Sequence, residues 1–122
     1  GLHYAPIEYP AIADRTIVAA LSDAAKKLGR NYAEGVAQSK DSFYGQHDPD
    51  SMPVADRLHE RWQAWERLGV MASEMETGAL FIVAATRGVR CGAVMAYNSM
   101  KDGTMQVTCE ALRSLIAADA QK

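Results

Sequence analysis

The chain reads as an α/β protein, a sandwich of helices packed on a sheet that contains parallel strands. Three observations predict it. Short apolar runs alternate with longer stretches whose apolar residues recur at helical spacing. Three of the helical stretches are closed by a glycine (Gly29, Gly69 and Gly88) before the next run begins. The composition, 48% hydrophobic and 23% charged over 122 residues, is that of one ordinary folded domain with a core.

Tyr4 to Ala13 is an extended loop punctuated by Pro6 and Pro10, each of which disfavours helix before it. Asp14 is placed to cap a helix over Arg15 to Leu28, where Ile17, Val18, Leu21, Ala25 and Leu28 follow the helical repeat. Tyr32 to Gln38 alternates loosely and predicts a strand. Ser39 to Pro53 is rich in Asp, Ser, Gly and Pro and predicts a loop, longer than a mere connection needs. A second helix follows over Val54 to Leu68, with Leu58, Trp62, Trp65 and Leu68 on one face, so the tryptophans read first as core packing. Val70 to Ser73 predicts a short strand. Thr77 to Arg87 predicts a helix that is apolar nearly all round and therefore buried. Val89 to Met95 predicts another strand, and Lys101 to Ala118 a final amphipathic helix with Val107, Ala111, Leu112, Leu115 and Ile116 inward. No internal repeat and no second domain is visible.

A net charge of −2 without a dense Lys/Arg cluster argues against a nucleic-acid partner. No apolar run approaches the ~20 residues that cross a bilayer, and no signal-peptide pattern stands out. Cys91 and Cys109 are isolated, which fits two reduced thiols and a cytoplasmic protein. His3, His47 and His59 lack the paired spacing of a zinc site, and no nucleophile-elbow motif is present. The Gly88 and Gly92 spacing has no helix opening behind it and is too weak to cradle phosphate.

The chemistry concentrates in Ser73-Glu74-Met75-Glu76, where an apolar run gives way to helix-patterned text. Loops at the carboxyl ends of strands are where open α/β sheets bind ligands. A carboxylate there can accept two hydrogen bonds at once, which suits the vicinal diol of a ribose. The alternative is that Glu74 and Glu76 are solvated charges in the first turn of a helix, favoured by its dipole.

SEMETGALF, together with QSKDSFYGQH and the amino-terminal HYAPIEYPAIAD, resembles the nucleoside phosphorylase family, in particular its uridine-specific members. The likeness runs from Leu2 to about Met95 and resumes from about Ala96 to Leu115. It implies a three-layer sandwich with a mixed, largely parallel central sheet flanked by helices, of which this chain holds only a part. It implies the reversible phosphorolysis of uridine to uracil and ribose 1-phosphate in pyrimidine salvage. Inorganic phosphate would be a co-substrate, with no cofactor and no metal, and the assembly would be a hexamer built from dimers.

Carried over residue by residue, the resemblance gives Glu76 the ribose hydroxyls and the catalytic role of favouring positive charge on the sugar. Met75 packs against the sugar ring, and Glu74 belongs to the same ribose motif or serves the helix start. Phe43 and Gln46 fall to the base. A phenyl ring offers a stacking face for a pyrimidine, worth about 1–3 kcal/mol per base. A Gln amide offers one donor and one acceptor side, matching the O2/N3–H edge of uracil. The chain departs from the family two residues after Gln46. Asp48, which has no cationic donor, stands where an arginine commonly reaches the base, and an inward-turned His47, a water or a residue of the amino-terminal portion would have to serve instead.

The resemblance also implies a longer protein. Residues 1–122 would be the carboxyl-terminal part of a single phosphorylase domain, and the phosphate ligands, unknown here, would lie in an amino-terminal portion. The 122 residues alone would then be inactive. At 95–97 the text passes almost directly into helix-like sequence, so a loop is expected to be missing there, either by deletion or because two ordered stretches are joined across a disordered one. Two other readings stand beside the leading one. The first is a purine nucleoside phosphorylase or a nucleosidase of the same fold, and the second a non-catalytic nucleoside-binding or assembly module.

Overall fold

The computed structural model describes residues 3–97 and 103–122. The chain is α/β, with helices and a small parallel sheet, and divides into two compact units, Gly1–Glu34 with Ala79–Lys122, and Gly35–Gly78.

In the first unit the chain enters α1 (Arg15–Lys27) through Asp14. The Asp14 carboxylate accepts the N–H groups of Thr16 (2.9 Å) and Ile17 (3.2 Å) and the Thr16 hydroxyl. The expected N-cap is therefore present. α1 packs on the final helix, labelled α5 below (Thr104–Asp119), through small residues. Ala24 and Ala25 meet Val107 and Ala111, with Ala20 and Leu21 at the margin. Lys27 pairs with Glu110, and Arg30 donates to Gln106 at 2.8 Å, so polar contacts flank the alanine seam. Of the five residues expected inward on α5, Leu112 and Ile116 are instead exposed, at 52% and 68%. Lys101, the expected first residue of that helix, lies outside the described residues.

In the second unit β1 (Ala37–Ser39) pairs in parallel with β2 (Ala72–Glu74). Between them lie α2 (Tyr44–His47), a 3-10 turn at Pro49–Ser51, and α3 (Ala55–Arg67). Both strands are shorter and later than the sequence predicts. Backbone bonds run only from Met71 N–H on Val36 O to Lys40 N–H on Glu74 O, each 2.9 Å. A strand exists only where a ladder does, so Tyr32 to Gly35 stays outside it. The predicted loop from Ser39 is likewise not structureless. Tyr44–His47 closes one helical turn, and Pro49 opens the next.

α3 ends as its glycine predicts. Gly69, at φ 74, donates to Glu66 O (3.0 Å), and Val70 donates to Trp65 O (3.1 Å), a Schellman closure that L side chains fit poorly. Gly29 and Gly88 close α1 and the helix after β2, α4 (Thr77–Arg87), with the same pair of bonds. The predicted apolar face of α3 is only half-buried, and Leu68 is 72% exposed.

α4 has the predicted bounds but not the predicted burial. Ala84 is buried, while Leu80 and Val83 are exposed. Composition decides what a helix can bury, and the partner surface decides what it does bury. Val89 to Met95 forms no ladder among the described residues, so the predicted strand is extended backbone only. Cys91 O accepts the Asp14 N–H at 2.7 Å and ties this run to the start of α1. Of the junction at 95–97, Tyr97 is exposed, and Asn98 beyond it lies outside the described residues.

Candidate active site

Every site residue predicted from the sequence falls within Gly35–Gly78. The register Ala37↔Ala72, Gln38↔Ser73, Ser39↔Glu74 is parallel, so both carboxyl ends lie at one edge. Lys40 and α2 leave from β1 there. Met75, Glu76 and the start of α4 leave from β2.

The two glutamates differ sharply. Glu74 is half-buried and accepts the Ser39 hydroxyl on Oε1. Its Oε2 accepts the N–H groups of Glu76 (2.6 Å) and Thr77 (2.5 Å). Ser39 Oγ in turn accepts the Gly78 N–H at 2.8 Å. Three backbone donors at the start of α4, which lack partners within the helix, are thereby satisfied. Burial opposes the charge on Glu74. Hydrogen bonds from the Ser39 hydroxyl, the Thr77 N–H and hydroxyl, and the Glu76 N–H outweigh it, and hold the carboxyl at about 2. The nearby helix N-terminus favours the same charge. Glu76 is exposed, and its Oε2 accepts the Met75 N–H at a longer 3.2 Å. Met75 itself is 41% exposed.

On the other strand's side, Gln46 Oε1 accepts the Ser73 hydroxyl at 2.9 Å and the Lys40 ammonium. Phe43 stands edge-on to Tyr44 (5.4 Å, 86°) and tilted on His47 (4.2 Å, 33°), and is 52% exposed. Lys40 Nζ lies 5.4 Å from the Phe43 ring centroid, within cation–π range, and 3.4 Å from His47 Nε2. Asp48 closes α2 with its N–H on Tyr44 O at 2.8 Å and supplies no cation.

The structure thus joins Gln46 to the glutamate strand through Ser73, which precedes Glu74. Three participants were given no role from the sequence: Lys40, Ser39 and Ser73, the last named only as the first residue of its motif. Lys40 and Ser39 were read only as part of QSKDSFYGQH. For Ser39 the signal is the parallel register that sets it opposite Glu74, and a single sequence does not print strand pairing. Among the described residues no group of three or more His, Cys, Asp or Glu is placed to hold a metal ion. No helix among them is long and apolar enough to cross a membrane.

Comparison with known proteins bears on this site. A family model described as the phosphorylase superfamily matches residues 1–120. The uridine phosphorylase of Treponema pallidum (strain Nichols) is 50% identical over 92 residues, 75% of this chain and 36% of that protein. The uridine phosphorylase of Klebsiella aerogenes is 42% identical over 97 residues, 77% of this chain and 38% of that protein. A guanosine phosphorylase of Halorubrum lacusprofundi matches at a lower 30% over 91 residues, 75% of this chain and 33% of that protein. The chain therefore spans little more than a third of the length of the curated relatives it matches.

Proposed function

The chain belongs to the phosphorylase superfamily, and from that premise we propose that the natural protein carrying it is a uridine phosphorylase. It is a pentosyltransferase that moves ribose from uracil to phosphate. The observation that supports this reading is the bond between Ser73 and Gln46, by which the Gln46 amide of α2 meets the strand that ends in Glu74.

In the reaction, phosphate attacks C1′ while the bond from C1′ to the base nitrogen breaks. The bonding pair leaves with the base and spreads onto its carbonyl oxygens, and the sugar passes through a cationic state. Glu76 binds the ribose hydroxyls, and its carboxylate stabilises that cation as it develops. Met75 packs on the sugar. Glu74 completes the ribose motif as the brace that fixes the turn into α4. Phe43 stacks on the base, and Gln46 reads its O2/N3–H edge. Lys40, held against Gln46, supplies the positive charge that the base needs as it departs, the task for which Asp48 is unsuited. The phosphate ligands are not assigned to any residue of this chain.

The same reading extends to a three-layer sandwich, of which residues 1–122 are the carboxyl-terminal part, with a loop expected near 95–97. It further holds a homohexameric, cytoplasmic enzyme that needs no cofactor beyond phosphate as co-substrate. A panel of uridine, deoxyuridine, thymidine, cytidine, inosine and guanosine tests the substrate class. Uridine should be cleaved in preference to both purine nucleosides. Preferred cleavage of guanosine or inosine would favour the purine-specific alternative, which the 30% match to a guanosine phosphorylase keeps in view.

A further inference from the structure

We propose that Ser39 is a positioning residue that fixes, through Glu74, the turn carrying Glu76, and so sets the preference for ribonucleosides over 2′-deoxyribonucleosides. The inference rests on the ribose reading of Glu76 given above. Ser39 ends β1 and stands opposite Glu74 in the parallel register. Its hydroxyl has one proton and two lone pairs, and its two partners decide how they are used. The Glu74 carboxylate stays ionised above about 2 and can only accept, so Ser39 donates to its Oε1. The Gly78 N–H can only donate, so Ser39 Oγ accepts it, at 2.8 Å.

The two bonds close a ring. Ser39 holds Glu74 Oε1, and Glu74 Oε2 accepts the N–H groups of Glu76 (2.6 Å) and Thr77 (2.5 Å). The first turn of α4 then leads to Gly78 and back to Ser39. Held by those N–H groups alone, the Glu74 side chain could change rotamer and carry the turn with it. Ser39 pins the other oxygen from a neighbouring strand, where Lys40 N–H bonds Glu74 O at 2.9 Å. The fit is close, since a Cβ on Gly78 would lie 2.8 Å from Ser39 Oγ and 3.1 Å from Ser39 Cβ. The ring takes the backbone N–H of Glu76 and leaves Glu76 itself exposed. A carboxylate that accepts two vicinal hydroxyls at once must be both placed and turned correctly, whereas a single hydroxyl asks only for reach. A loosened turn therefore loses the second hydroxyl bond first. Uridine offers both hydroxyls of the pair and 2′-deoxyuridine only one, so the ribonucleoside bears the larger loss.

The test compares Ser39→Ala, Ser39→Thr and Glu76→Ala in the natural full-length protein. It reads kcat and KM for uridine and for 2′-deoxyuridine. Ser39→Ala should lower kcat/KM for uridine about 10-fold or more, and the ratio of the uridine to the 2′-deoxyuridine value should narrow about 5-fold. Ser39→Thr, which keeps the hydroxyl, should restore both. In a Glu76→Ala background, Ser39→Ala should leave the ratio as it stands, because the carboxylate it positions is gone. A purely structural role would weaken both nucleosides equally, and that outcome, like wild-type values in Ser39→Ala, overturns the proposal. Near-normal uridine turnover in Glu76→Ala removes the ribose reading itself and the proposal with it. A large loss in Glu76→Ala beside a wild-type ratio in Ser39→Ala removes the proposal alone. Should Ser39→Ala not fold, Gly78→Ala carries the same test, since its Cβ displaces the Ser39 hydroxyl, and an unchanged ratio there overturns the proposal.

Discussion

The carboxylate of Glu74 accepts the Thr77 N–H at 2.5 Å, across the turn that carries Met75 and Glu76. One acidic residue of the motif thus builds the turn, and the other is presented by it. Glu74→Ala should therefore destabilise the protein by about 0.5–2 kcal/mol, as loss of a helix-start acceptor does elsewhere. Its activity should fall only through the displaced turn.

The same group makes a pH-dependent contribution. An ordinary Glu carboxyl titrates at 4.5, and Glu74 in the fold at about 2. The folded state binds this proton less readily than the unfolded chain. The stabilisation is complete above 4.5 and is lost as pH falls from there toward about 2. Denaturant melts of wild type and Glu74→Gln should differ most near neutral pH and converge across that acid window. A gap that stays constant would show that the Glu74 charge contributes nothing.

Glu76→Ala tests the other half of the motif. It should cut phosphorolysis of uridine by about 100-fold or more while the melting temperature stays close to wild type, since charged hydrogen bonds in a closed site contribute about 1.5–3 kcal/mol or more. Near-normal turnover in folded Glu76→Ala protein would remove this carboxylate from the site.

For the base, Phe43→Ala should raise the uridine KM by an amount equivalent to about 1–3 kcal/mol of lost stacking. Lys40→Met should act on kcat instead, lowering it about 100-fold or more, because charge on the base develops only as the bond breaks. If Lys40→Met changed KM and left kcat intact, the ammonium would be a binding group and not a stabiliser of the leaving base.

The sequence was most legible where the signal is local. Asp14 caps α1, Gly29, Gly69 and Gly88 close three helices, and the bounds of α4 follow from its own residues. It was least legible where partnership decides. Val89 to Met95 has the apolar character of a strand but no ladder among the described residues, and Leu80, Val83 and Leu112 have the spacing of core positions but stay exposed. The site divides in the same way. Glu74, Met75, Glu76, Phe43 and Gln46 come from short motifs that can be read along the chain. Ser39 becomes visible as the partner of Glu74 only through the pairing of β1 with β2, and Ser73 as the partner of Gln46 only through the fold, while Lys40 meets Gln46 within its own segment.

The most direct test of the central claim is to incubate the natural full-length protein with uridine, with and without inorganic phosphate, and to follow uracil and the sugar product together. Uracil should appear only when phosphate is present, matched one for one by ribose 1-phosphate. Release of free ribose without phosphate would mark a nucleosidase, and no cleavage of uridine in either condition would contradict the phosphorylase reading altogether.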